Sequence, residues 1–203
     1  MNAFTEDYYE RGRESGLSLY ENYRWLPDLT LPMAQALIDG LGLGPTDRIL
    51  DFGCAKGYLV KALRQLNRSA WGCDISEYAL SQAYKDTEIF LFHAGELSAH
   101  YDWTLCKDVL EHVEEAELPA LLKVLRAHTS RLFIAVPLGN NGAYTIPEME
   151  QDVTHRIRRP LWWWAGLLEE AGFTKVQSSF SMRGVKENWT RKYQFGNGFL
   201  TAQ

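Results

Sequence analysis

The segment DFGCAKG, residues 51–57, follows an apolar run and places two glycines around a short turn. Gly53 allows the backbone to turn sharply, and Gly57 allows the next helix to begin close to a bound molecule. The pattern is neither the GxxxxGK[ST] of a phosphate loop nor the GxGxxG of a dinucleotide site, because Ala55 replaces the middle glycine. Alone, the turn is equally typical of an ordinary strand-to-helix connection.

Asp74 ends the next predicted strand, about 20 residues after the turn, as in Rossmann-like units. A carboxylate at this position accepts hydrogen bonds from both hydroxyls of a ribose, because its two oxygens match a vicinal diol. The alternative is a helix cap, although Ser76 is better placed for that role. The spacing favours a ribose site.

Alternating strands and helices must position these residues. Hydrophobic patterns and turn residues predict strands over 48–52, 69–74, 88–92, 102–107 and 131–137. Helices are predicted between them over 57–66, 76–84 and 114–128. This alternation is typical of a parallel sheet with helices on both faces, in which ligands bind beyond the carboxyl ends of the strands. The candidate residues all lie at such ends.

The regions before and after this alternating segment show no such alternation of strands and helices. Residues 1–30 predict an arm or cap without regular elements, and a helix over 30–44 should begin at Leu31 or Pro32. The polar loop 138–159 is long enough to act as a lid. The remaining predictions are a helix over 160–173, in which only one or two of three consecutive tryptophans can face the core, and β-like runs over 174–182 and 192–202.

Composition limits the function classes. A chain of 203 residues with 46% hydrophobic and 23% charged residues predicts a single folded domain. The net charge is −5 and HRIRRP, residues 155–160, is the one cationic cluster, so nucleic acid is an unfavoured partner. No apolar stretch predicts a signal or a membrane span, and three cysteines without metal-site spacing predict free thiols in a cytoplasmic protein. The oligomeric state stays open.

The chain resembles the class I S-adenosylmethionine-dependent methyltransferases, and above all those that act on small molecules. The residues that carry the resemblance are, in chain order, Asp51, Gly53, Ala55, Gly57, Asp74 and the segment DVLEHV at 108–113. The likeness covers residues 48 to about 137, and LLEEAGF before two final strands extends it further. It implies an α/β fold with a Rossmann-like, seven-stranded, mostly parallel sheet, an antiparallel last strand and helices on both faces.

The resemblance also implies how S-adenosylmethionine is held. Gly53 and its neighbours meet the methionyl part, Asp51 supports the turn and Asp74 holds the ribose. Adenine lies beside Ile75 and the loop after the third strand, and Lys107 contacts the cofactor through its backbone. The implied cofactor-binding residues are Asp51, Gly53, Ala55, Gly57, Asp74, Ile75, Gly95, Glu96 and Lys107. The segment YENYRW, residues 20–25, either closes over the cofactor carboxylate through Arg24 or forms an aromatic surface arm.

Methyl transfer requires few catalytic groups from the protein, because the sulfonium of the cofactor already activates the methyl group. The acceptor must be aligned for in-line displacement, and a hydroxyl acceptor must lose its proton. His112, after the fourth strand, and His155, in the long loop, are the candidate bases. The alternative for His112 is a helix-entry residue bonded to the backbone.

A metal-assisted alternative uses the same region. Asp108, Glu111 and His112 have D-x-x-E-H spacing, with His155 on another loop. Some methyltransferases of ribose or catechol hydroxyls arrange such groups around Mg²⁺. We favour a metal-free site, because acidic residues at helix starts are common on dipole grounds alone.

The expected function is methyl transfer to an oxygen, or less readily a nitrogen, of a small-molecule or saccharide-like acceptor. Two other classes stay open: an NAD-dependent Rossmann dehydrogenase, and a non-catalytic S-adenosylmethionine-binding or interaction protein. In one domain of 1–203, we expect an arm over 1–30, a cofactor-binding core over 31–137 and an acceptor side over 138–203.

Overall fold

A seven-stranded sheet forms the centre of the protein in a computed structural model, which describes residues 3–203. The strands are β1 (Arg48–Phe52), β2 (Ser69–Asp74), β3 (Leu91–His93), β4 (Tyr101–Lys107), β5 (Thr129–Pro137), β6 (Gly139–Asn140), β7 (Ala143–Tyr144), β8 (Gln177–Ser179) and β9 (Asn197–Ala202). The helices are α1 (Glu6–Glu10), α2 (Gly12–Ser15), α3 (Pro27–Leu41), α4 (Tyr58–Gln65), α5 (Glu77–Ser81), α6 (Leu118–His128), α7 (Leu161–Glu170) and α8 (Glu187–Lys192).

The strand order is β3-β2-β1-β4-β5-β9-β8, and β6 and β7 form a separate hairpin. Strand β9 is antiparallel to both of its neighbours, whereas the pairs from β3 to β5 are parallel. The predicted fold class is therefore confirmed. The order reverses between β1 and β4, so the crevice expected to bind a ligand lies at the carboxyl ends of these two strands.

Apolar side chains cover both faces of the sheet, which explains why its strands read as nearly continuous hydrophobic runs. On one face Leu122 of α6 and Trp164 of α7 are fully buried in one apolar cluster. On the other face Leu37 of α3 and Leu63 of α4 are fully buried in another. The helices thus lie on both faces, as predicted.

Several element bounds differ from prediction. Helix α3 begins at Pro27, before the predicted start, because proline in the first turn loses no helical hydrogen bond. The expected strand over 88–92 begins with a 3₁₀ turn at Glu88–Phe90. Residues 1–30 contain α1 and α2, so this arm is more regular than predicted. The run predicted as β-like over 192–202 is a strand only from Asn197, the first residue of β9. Lys192 still belongs to α8, and a turn connects the two elements.

The helices of the described chain include none with the length and apolarity needed to cross a membrane. Cys54, Cys73 and Cys106 are buried free thiols, as the sequence predicted.

Helix α7 allows a paired test of core packing. Trp164 is 0% exposed, whereas Trp162 in the same turn is 75% exposed. We expect Trp164→Ala to lower the free energy of unfolding by about 3–5 kcal/mol and Trp162→Ala by no more than about 0.5 kcal/mol. Urea denaturation measures both, and equal losses would contradict the assigned orientation of α7.

Candidate active site

A cavity of about 490 Å³ opens at the carboxyl ends of β1 and β4. Four predicted cofactor residues line it: Asp51, Gly53, Ala55 and Lys107. The arm and α3 form the opposite wall, with Tyr20, Tyr23, Arg24 and Met33 among the lining residues. The predicted residues that lie outside this lining are Gly57, Asp74, Ile75, Gly95, Glu96, His112 and His155.

The glycine turn has the backbone geometry that its sequence requires. Gly53 has a φ of +79°, and a Cβ there would lie 2.3 Å from the side chain of Val109. The N–H groups of Gly53 and Cys54 both donate to the carbonyl of Cys73, at 2.8 and 3.0 Å. Ala55 has a φ of +49°, so the residue that replaces the expected middle glycine lies in the left-handed region.

Asp74 is buried at the end of β2 and binds the turn directly. One carboxylate oxygen accepts from the Ala55 N–H at 2.7 Å, and the other accepts from the Ser76 N–H at 2.8 Å. The Ser76 hydroxyl accepts from the Ala79 N–H at 3.0 Å, which makes Ser76 the cap of α5. Burial raises the pKa of Asp74, and the backbone N–H donors oppose that rise.

The arm, residues 3–26, lies over the glycine turn and α5. The Ser76 hydroxyl donates to the Phe4 carbonyl at 2.6 Å, and Lys56 of the turn pairs with Glu10. Tyr9 is buried between Tyr20 and Tyr78, with ring centroids 6.1 and 6.2 Å away. Tyr9 also hydrogen-bonds with Ser76 and lies near the Asp74 carboxylate, so it covers the side of the turn where Asp74 lies.

Asp51 provides the buried carboxylate of the cavity. Burial raises its pKa to about 7; Lys107 of β4 lowers it and Asp74 of β2 raises it further. The Lys107 ammonium donates to Asp108 at 2.6 Å instead of pointing freely into the cavity. The side chain of Lys107 is thus neutralised beside the predicted position of the cofactor.

Asp108 is held by two ammonium groups. Lys107 binds one of its oxygens, and Lys186, which precedes α8, binds the other. These charges hold the pKa of Asp108 well below its usual range, although burial opposes them. The sequence pattern gave no sign of the Lys186 contact, because the two residues lie 78 positions apart.

The structure brings His112 and His155 together, with ring centroids 4.7 Å apart. One nitrogen of each ring and one carboxylate oxygen of Glu111 lie within 4.8 Å of one another. Burial and the neighbouring His155 lower the pKa of His112 to about 4, and burial also lowers that of His155. Burial and Asp108 raise the pKa of Glu111 to about 8.

This arrangement does not fit the magnesium site considered from the sequence. Asp108 is already neutralised by two lysines, so it is not a free ligand. The rest of the set is one carboxylate and two imidazoles, whereas Mg²⁺ prefers oxygen ligands in octahedral geometry.

Aromatic residues of the arm separate the histidines from the cavity. The rings of Phe4 and Tyr8 pack edge-on against His112, at centroid distances of 5.4 and 6.5 Å. Tyr20, which lines the cavity, packs against Tyr8 at 5.7 Å. Access from the cavity to His112 therefore passes the arm.

The predicted adenine contacts lie beyond the cavity. Gly95 and Glu96 belong to a 3₁₀ turn after β3, where the Gly95 N–H donates to Nδ1 of His93 at 3.1 Å. Ile75 is half exposed between β2 and α5. These positions border the carboxyl ends of β2 and β3, as the sequence pattern requires.

The cationic cluster of the sequence forms ion pairs on the surface. Its pairs are Arg156 with Glu114, Arg158 with Glu150, and Arg159 with Glu115. Because each arginine has a carboxylate partner, the cluster is not a free anion-binding surface.

Known proteins place this architecture in a family. The methyltransferase domain family matches residues 22–190 of the chain. No curated protein matches the chain in sequence.

Solved structures of methyltransferases share the fold at low sequence identity. A SAM-dependent methyltransferase from Archaeoglobus fulgidus is 17% identical with a TM-score of 0.65, over 87% of this chain and 96% of that one. The Burkholderia thailandensis 1,6-didemethyltoxoflavin-N1-methyltransferase, with S-adenosylhomocysteine bound, is 19% identical with a TM-score of 0.63, over 97% and 83%. The Synechocystis PCC 6803 magnesium protoporphyrin IX methyltransferase, also with bound SAH, is 18% identical with a TM-score of 0.59, over 86% and 81%.

The left-handed conformation of Ala55 makes a prediction about stability. A left-handed conformation costs a residue with a Cβ about 1–2 kcal/mol, whereas glycine loses about 0.5–1 kcal/mol in entropy, so Ala55→Gly should be neutral or stabilising by up to about 1 kcal/mol. The control is Ala120→Gly on the exposed face of α6, which should destabilise by about 0.5–1 kcal/mol. Urea denaturation measures both, and an equal loss at the two positions would contradict the strain at Ala55.

Proposed function

Because the chain belongs to the methyltransferase domain family, we propose that it transfers a methyl group from S-adenosylmethionine to an oxygen, or alternatively a nitrogen, of a small-molecule or saccharide-like acceptor. Membership of this family argues against the alternative function, that of a nicotinamide-dependent dehydrogenase. The observation that carries the proposal is the cavity at the switch point of the sheet, with the glycine turn on one wall and Asp51 at its side.

The groups around the cavity fit S-adenosylmethionine. When bound, this cofactor supplies a methyl group that its sulfonium has already activated. Asp51 provides an anionic partner for the amino group, and Arg24 on the opposite wall a cationic partner for the carboxylate. Tyr20 and Tyr23 present aromatic rings, which attract cations.

Asp74 keeps acceptor capacity for a ribose hydroxyl although it already binds three backbone N–H groups. An ionised carboxylate accepts about four hydrogen bonds, and the backbone N–H groups of Ala55, Ser76 and Ile75 use three of them. Because Tyr9 covers this side of the turn, our proposal requires the arm to shift when the adenosine part binds. The proposed cofactor-binding set remains Asp51, Gly53, Ala55, Gly57, Asp74, Ile75, Gly95, Glu96 and Lys107.

We place the acceptor beside His112 and His155. Burial keeps both imidazoles neutral near pH 7, so each has a nitrogen able to take a proton. Phe4 and Tyr8 cover His112, and the acceptor reaches it when these arm residues give way. His112 acts as the base in this proposal, with His155 as its neighbour. The named substrates of two structural neighbours, a didemethyltoxoflavin and a magnesium protoporphyrin, support a small-molecule acceptor.

Binding of S-adenosylhomocysteine tests the cofactor site. At one hundred times its Kd it should stabilise the protein by about 2.7 kcal/mol, measured by thermal shift and calorimetry, whereas NAD should not. Asp74→Asn should weaken binding at least about tenfold, because it removes the anionic acceptor of the ribose hydroxyls. The matched control is Asp39→Asn on the exposed face of α3. Equal affinity in both variants would contradict the role of Asp74.

The pH dependence of the same binding tests Asp51. The free protein holds Asp51 protonated below about pH 7, and the cofactor ammonium favours the ionised carboxylate. Binding must therefore expel a proton at low pH, and the Kd at pH 6 should be about tenfold weaker than at pH 8. In Asp51→Asn the affinity should be low and should not change between these pH values. A flat profile in the wild type would contradict the assignment.

A further inference from the structure

Two residues of the long loop, Asp152 and Thr154, form a hydrogen-bonded pair that reaches the ring of His112. The Thr154 hydroxyl donates to Oδ1 of Asp152 at 2.5 Å, and the Thr154 N–H donates to the same oxygen at 2.9 Å. Nδ1 of His112 lies 2.7 Å from the Thr154 hydroxyl oxygen. Asp152 and Thr154 are only 4% and 5% exposed, so water does not compete with these bonds.

The donors around Asp152 determine where the protons are. The Tyr8 hydroxyl donates to Oδ2 of Asp152 at 2.8 Å, in addition to the two bonds from Thr154. Three donors on two oxygens describe an ionised carboxylate, which only accepts. The single hydroxyl proton of Thr154 is therefore committed to Asp152. The Thr154 oxygen can bind Nδ1 of His112 only as an acceptor, so that nitrogen carries the ring proton.

We infer that Thr154 and Asp152 are positioning residues that hold His112 in its Nδ1–H tautomer and leave Nε2 as the basic nitrogen. The inference rests on the proposed role of His112 as the base. As the acceptor oxygen bonds to the methyl carbon and the bond from that carbon to sulfur breaks, the hydroxyl proton passes to Nε2. His112 becomes an imidazolium, and the oriented hydroxyl of Thr154 links its positive charge to Asp152.

His155 has the same tautomer for a different reason. Its Nδ1 lies 2.8 Å from the carbonyl oxygen of Met149, which can only accept, so this nitrogen also carries the proton. Nε2 of His155 lies 3.9 Å from Oδ2 of Asp152. Asp152 is thus the anion next to both rings.

Nitrogen-15 NMR of histidine-labelled protein without cofactor tests the tautomer directly. In the wild type, the long-range ring correlations of His112 should show a protonated Nδ1 and a bare Nε2. Thr154→Val removes the hydroxyl acceptor and keeps the backbone carbonyl that also bonds the ring, so the share of the Nε2–H form should rise, and Thr154→Ser should restore the wild-type pattern. His155 and His128, whose Nδ1 atoms face backbone carbonyls, should keep their pattern in every variant and serve as references.

An unchanged His112 pattern in Thr154→Val, or an Nε2–H form in the wild type, would overturn the inference. S-adenosylhomocysteine affinity, which should stay within about twofold, verifies that the variants are folded. With an acceptor that the wild type methylates, Thr154→Val and Asp152→Asn should lower kcat about tenfold or more without raising the KM for S-adenosylmethionine, and Thr154→Ser should recover kcat. Unchanged kcat in Thr154→Val would contradict the inference. A wild type with the expected tautomer that methylates no acceptor would contradict the proposed function instead.

Discussion

The buried carboxylate of Asp74 connects the parts of the site that the chain supplies separately. It binds the backbone of the glycine turn after β1 and of Ser76, the N-cap of α5, and Ser76 extends the connection to Phe4 of the arm. A carboxylate that accepts several backbone N–H groups at once is expensive to replace, because each donor would then be buried without a partner. The position of the turn, the start of α5 and the closure of the arm therefore depend on one side chain.

Parallel topology explains why so much of the site could be predicted from sequence. Buried strands read as apolar runs, and a residue that directly follows such a run lies at the edge where ligands bind. Asp51, Gly53 and Lys107 line the cavity for this reason, and Asp74 lies against the same turn. Ser76 was recognised as a cap because its hydroxyl competes for the first free N–H groups of a helix.

Other contacts could not be predicted, because they join residues that no local pattern relates. Lys186 pairs with Asp108, Tyr8 binds Asp152, and Thr154 binds His112, each across the fold. The start of α3 was misplaced because Pro32 looks like a first-turn proline, whereas Pro27 holds that position and Pro32 lies within the helix. The arm is buried through packing among its tyrosines. The sequence shows that this segment is rich in tyrosine, but it does not show which rings are in contact.

The place of β9 has a consequence for how the chain assembles. In the sequence β9 follows β8, yet in the sheet it lies between β5 and β8 and bonds to both. Until β9 inserts, β8 has no partner in the sheet and β5 presents an open edge. The order of strand addition thus differs from the order of synthesis, and in the nascent protein the edge of β5 stays unpaired until β9 has left the ribosome.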